Sequence, residues 1–168
     1  MAAAFEIPIE PGHPALQDAD WADCWEVEVQ PPYANAREAA TDMVNCFPAW
    51  MSPMLKLRDG LVSLAGLRTT KVVQQEGAED VLGTVAFFPV ISEIPGEIVL
   101  GTNDKHLDFR LVISISPGSN NGSQRISMQT HLKRHNHLGH AYLVVIQSFH
   151  RAACSGSLDN MVARRTAS

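Results

Sequence analysis

The sequence predicts an α+β domain in which an antiparallel sheet and a few helices occupy separate stretches of the chain. Two observations carry that reading. Between about residues 72 and 133, short alternating or β-branched runs follow one another, separated by Gly, Asn and Pro. Helical spacing is confined to two short segments before those runs and one long segment after them. Strands in a block, with helices kept apart from them, mean α+β.

The elements follow in order. Residues up to about Asp20 carry prolines and no periodicity, and are expected to form an arm (1–20), mobile or laid on the surface, ahead of one domain over 21–168. Trp25, Val27 and Val29 alternate with Glu26 and Glu28, which predicts a first strand ended by Pro31-Pro32. Asn35 then caps a helix to about Asn45, with Ala36, Ala39, Ala40, Met43 and Val44 on one side, and Pro48 breaks it. A second helix is expected over Pro53 to Leu67, with Leu57, Leu61, Leu64 and Ala65 at helical spacing and Gly66 near its stop. Strands are expected at Val72–Gln75, Leu82–Ile91, Glu97–Gly101, His106–Ser116 and Gln124–Lys133. Thr102-Asn103-Asp104 and residues 117–122 read as hairpin connections. A long closing helix is predicted from Tyr142, Val145, Ile146, Phe149, Ala152 and Ala153, which fall on one stripe. A curved antiparallel sheet closed over a long C-terminal helix is the helix-grip arrangement, which tends to leave a ligand cavity between the two.

Composition narrows the function classes. A chain of 168 residues, 45% apolar and 18% charged, buries a core without staples. The net charge of −5 and the scattered Lys and Arg argue against a nucleic-acid surface. Cys24, Cys46 and Cys154 are odd in number, far apart and without a CxxC, so they read as small buried hydrophobes in a reducing cytosol. The N-terminus lacks a signal-peptide pattern, and the longest nearly apolar run, Val85 to Ile91, is far too short to span a membrane. A cytoplasmic location is therefore expected, and a homodimer is left open.

The densest local chemistry is GTNDKHLDFR, residues 101–110. His106, Asp108 and Arg110 share one face of a strand, while Leu107, Phe109, Leu111, Ile113 and Ile115 share the other. A carboxylate beside a His can hold the ring, and an Arg can bind an oxyanion. The plainer reading is a solvated charged face, with Arg125, Gln129, His131 and Lys133 opposite and the apolar series turned inward. His131, His135, His137 and His140 suggest a metal, but they straddle a strand end and a turn without the spacing that fixes two ligands on one face. They read as a solvated basic loop, and no metal or cofactor is expected. His150 lies on the flank of the closing apolar stripe, either as an acid or base in the cavity or as a satisfied core residue. Thr130 puts a hydroxyl into the inward series Ile126, Met128, Leu132, and the Tyr142 hydroxyl needs a partner or a ligand. Trp50, Phe87, Phe88 and Phe109 are the bulky residues best placed to line a pocket, with core packing as their default.

Four segments carry a family resemblance: Phe47-Pro48-Ala49-Trp50, Leu55 through Val62, Gly101 through Arg110 and Asn136 through His150. Together they resemble a bacterial domain-of-unknown-function family grouped with the START-like and polyketide-cyclase-like (SRPBCC) helix-grip superfamily, in order from about Trp21 to Val162. DKHLDFR is the most specific piece. His140 stands where that pattern has Arg, and Ser148 where it has Pro; the first removes a permanent cation from the start of the last helix. The resemblance implies a helix-grip fold and a cavity, but no reaction, since fold does not fix function.

The expected function is to hold a small, largely apolar organic molecule between sheet and C-terminal helix. Trp50, Phe88 and Phe109 would line the site, and Thr130 and Tyr142 would position its polar atoms. The alternative is a cofactor-independent cyclase, dehydratase or isomerase. There His106 or His150 moves a proton, Asp108 orients the ring and Arg110 stabilises an oxyanion. A third class, an interaction module, would use the polar face of the sheet. The direction of residues 106–111 discriminates: a triplet facing the helix favours an enzyme, an outward one a binder or module.

Overall fold

A computed structural model describes residues 3–51, 82–104 and 107–167. The helix expected over 53–67 and the strand expected over 72–75 lie outside these residues. The described residues form strands β1 (Phe5–Ile7), β2 (Trp21–Val29), β3 (Thr84–Val85), β4 (Phe88–Ile94), β5 (Glu97–Thr102), β6 (Leu107–Pro117) and β7 (Gln124–Arg134). Helix α1 (Ala36–Asn45) follows β2, and helix α2 (His137–Thr166) closes the chain. The class is α+β. The strands form one antiparallel sheet in the order β1-β2-β7-β6-β5-β4-β3, so the first long strand lies beside the last.

Both helices begin on an asparagine. The Asn35 side chain accepts a hydrogen bond from the Glu38 amide at 2.9 Å, and that of Asn136 from the Gly139 amide at 3.2 Å. Each satisfies an amide that the first helical turn leaves without a partner.

One face of the sheet carries the main core. Trp25, Val27 and Val29 of β2, Ile126 and Met128 of β7, Leu111 and Ile113 of β6, and Ile98 and Leu100 of β5 pack with α1 and the second half of α2. Polar contacts help to tie the helices together, among them Ser157 Oγ to the Met43 carbonyl at 2.7 Å and Asn160 Nδ2 to the Cys46 carbonyl at 3.0 Å. Gly156 permits this approach, because a Cβ there would stand 2.9 Å from the Pro48 ring.

Three elements differ from expectation, each for a local reason. β2 begins four residues earlier than the alternation indicates, because Asp23 interrupts the inward series Trp21, Trp25, Val27. The strand expected over 82–91 is split into β3 and β4 by a tight turn in which Ala86 adopts φ of 53°. That conformation is usually supplied by Gly or Asn, so the turn left no mark in the sequence. On α2 the buried side runs Leu143, Ala153, Cys154, Ser157, Leu158, Met161 and Val162, while Phe149 and Ala152, expected on the stripe, are exposed. The buried Ser157 and half-buried His150 lie on the true stripe and mask its period. Part of the arm is also strand: β1 adds an edge to the sheet, pairing Glu6 with Trp25.

Candidate functional site

The antiparallel register of β2 and β7 sets Asp23 directly opposite Thr130 on the helix-facing side of the sheet. Both side chains are buried, at 5% and 1% exposure. α2 crosses this point with His150 and, one turn later on the same face, Cys154.

Three groups converge on one imidazole nitrogen. His150 Nε2 lies 3.1 Å from Thr130 Oγ1, 3.2 Å from each carboxylate oxygen of Asp23, and 3.4 Å from Cys154 Sγ. The indole Nε1–H of Trp25 donates to Asp23 Oδ2 at 3.2 Å, and Trp21 meets the imidazole edge-on with ring centres 5.8 Å apart. A buried carboxylate is costly unless donors meet it. With the ring proton on Nε2, His150 donates to Asp23 and Nδ1 is the ring's remaining basic atom. The Cys154 sulfur lies 3.8 Å from Nδ1. Burial, then the negative charges of Asp23 and Glu6, push the Cys154 thiol well above its ordinary range, so it stays protonated. The arrangement can hold a polar ligand atom, pass a proton through His150, or collect a soft cation.

The comparisons with known proteins give one match. Residues 15–156 match the model of the family described as Protein of unknown function (DUF2867). The chain belongs to this family. No curated protein and no solved structure matches it. The matched stretch of this DUF2867 chain contains Asp23, Thr130, His150 and Cys154 together.

The residues singled out in the sequence fall into two groups. Thr130 and His150 meet at the cluster just described. Phe109 shares the helix-facing side of the sheet; it is half-buried against the core, with its ring 6.0 Å from that of Phe88, which stacks at 4.3 Å on Phe87. Trp50 is exposed. Tyr142 falls within α2 but its side chain, like His106, lies outside what is described.

Asp108 and Arg110 point to the opposite face. Arg110 is buried there beneath the arm. Its guanidinium donates to the carbonyls of Ala15, Thr102 and Phe109 and to Asn103 Oδ1, at 2.8–3.2 Å. Asp108 pairs with His135 at 3.1 Å and accepts from the Asp104 amide. His131 is buried on the same face, its ring 5.6 Å from that of His13. His137 and His140 lie at the start of α2 with rings 6.5 Å apart.

Asp23 and Cys154 escaped sequence reasoning. The available signals were a carboxylate inside the period-two series Trp21, Trp25, Val27, and a cysteine four residues after a histidine on a helix.

Proposed function

We propose that this protein is a helix-grip binder that holds a small, largely apolar organic molecule between the helix-facing side of its sheet and α2. The observation that carries the reading is the cluster of Asp23, Thr130 and His150. It is a small set of converging polar groups set among Trp21, Trp25 and Leu132, with the half-buried rings of Phe88 and Phe109 farther along the same face. Apolar walls with a few fixed polar groups are the usual composition of a small-molecule site. Strand order supports the SRPBCC grouping, since the first long strand lies beside the last and helix α1 follows the first. In this reading Asp108 and Arg110 serve the arm-covered face and take no part in binding.

The test is native mass spectrometry of the protein purified from its own host, followed by denaturing extraction of whatever it carries. The expected result is a retained apolar compound that is lost or weakened in Thr130→Val and His150→Leu. A protein that carries no such compound and binds none from a metabolite extract overturns the proposal.

One observation favours a second reading, cofactor-independent acid–base chemistry. Asp23 on Nε2 orients the ring, which presents Nδ1 of His150 to take a proton from a carbonyl compound. Exchange of the bound compound's carbon-bound protons for deuterium, catalysed by the wild type and abolished in His150→Gln, distinguishes an enzyme from a carrier.

A further inference from the structure

We propose that Asp23, His150 and Cys154 form a binding site for one divalent cation of the zinc type. Hydrogen bonding alone leaves the cluster over-supplied. Nε2 of His150 has one proton or one lone pair to offer, yet two carboxylate oxygens, a hydroxyl and a sulfur surround it at 3.1–3.4 Å. A cation set between Nε2, an Asp23 oxygen and the Cys154 sulfur takes up three of these groups at once.

The distances fit. Among the described residues this is the group whose His, Cys and carboxylate donor atoms all lie within 4.8 Å of one another. Tetrahedral zinc with nitrogen and oxygen at about 2.0–2.1 Å and sulfur at about 2.3 Å spaces its ligands about 3.3–3.6 Å apart. The pairs His150 Nε2 to Asp23 and His150 Nε2 to Cys154, at 3.2 and 3.4 Å, stand close to that spacing already.

The donor chemistry fits as well. A mixed carboxylate, imidazole and thiolate set suits a borderline-soft ion rather than calcium or magnesium. Two anionic ligands, Asp23 and the Cys154 thiolate, exactly cancel the charge of a divalent ion, which suits a site this dry. Binding moves the His150 proton from Nε2 to Nδ1 and releases the Cys154 proton to solvent, so affinity rises with pH. Trp25 Nε1–H on Asp23 Oδ2 is the outer-shell hydrogen bond that fixes a ligating carboxylate. Three protein ligands leave the fourth position open, beside Thr130 Oγ1, for water or a ligand oxygen.

The full chain, stripped with a chelator and dialysed, is titrated with cobalt(II) and then zinc. The expected result is one equivalent bound per chain, with thiolate-to-cobalt charge-transfer absorption and d–d bands of tetrahedral intensity, both displaced by zinc. Cys154→Ala removes the charge-transfer band and weakens binding by about 100-fold or more, whereas Cys24→Ala and Cys46→Ala change neither. Trp25→Phe keeps all three ligands and the band but weakens binding by about tenfold. It remains informative if Cys154→Ala does not fold. Absence of a charge-transfer band in the wild type, or a band that survives Cys154→Ala, overturns the site. The readout needs no organic ligand, so it stands or falls apart from the pocket reading.

Discussion

His150 and Asp23, separated by 127 residues, meet at 3.2 Å across the interface of α2 and the sheet. Asp23 is nearly fully buried, and the remaining donor on its carboxylate, among the described residues, is the Trp25 indole. The pair therefore locks the closing helix to the first long strand. Asp23→Asn keeps the shape but loses the charge, and should destabilise the fold by about 1–3 kcal/mol. A double-mutant cycle with His150→Gln should show coupling of about 1 kcal/mol or more in urea denaturation. Additive effects would mean that the two side chains are neighbours without an energetic link.

Arg110 fastens the arm. Its hydrogen bonds reach Ala15 in the arm, Thr102 at the end of β5, Asn103 in the β5–β6 connection and the Phe109 carbonyl of β6. Arg110→Met should cost about 2–4 kcal/mol by orphaning buried acceptors. It should also release residues up to Asp20 to limited proteolysis. Arg110→Lys should recover little, since one ammonium cannot reproduce the planar fork. Full recovery with Lys would show that charge, not geometry, holds the arm.

Acid should loosen the same face. Burial, and then the neighbouring His13, lower the pKa of His131 below its ordinary 6.5. Its Nε2 pairs with Gln129 Oε1, and its buried Nδ1 has no hydrogen-bond partner among the described residues. The folded protein thus keeps the ring neutral, while the unfolded chain takes up a proton near 6.5. This contribution to stability is complete above pH 6.5 and is lost as pH falls below it towards the folded pKa. Glu97, 3.6 Å from His13, and Arg110, paired with His131 across β6 and β7, complete the charged surroundings. Melting temperatures from pH 7.5 to 5 should fall less steeply in His131→Leu than in the wild type. Equal slopes would remove His131 from the account.

Gly101 pairs with Arg110 at the end of β5, and a Cβ there would overlap the Phe109 carbonyl oxygen. Because that obstacle is backbone, it cannot swing aside. Gly101→Ala should cost about 1–3 kcal/mol, read as a lower denaturation midpoint with an unchanged slope.

Much of the architecture was legible because it rests on local physics. The period of two over β7 and the second half of β2 is set by burial on one face. The start of α1 is set by the Asn35 side chain, and the two Pro after β2 end that strand for want of amide donors. The turn at Ala86 was not legible, since its residues lack the usual turn chemistry. Nor was the true stripe of α2, because the side chains that meet Asp23 and α1 there are polar.

The candidate site divides along the same line. Thr130 and His150 could be singled out by themselves, each as a polar residue in an apolar series. Their meeting with Asp23 and Cys154 required the pairing of β2 with β7 and the crossing of α2 over both. The direction of Arg110 was likewise a tertiary matter, since strand parity assigns two faces without saying which is covered by helices and which by the arm. The α+β class, the alternation of faces and the residues with chemistry to offer could be read along the chain, because they depend on neighbours a few positions apart. Which of those residues share a site was settled by packing, because contacts across more than a hundred residues are chosen by how sheet and helices bury their apolar faces together.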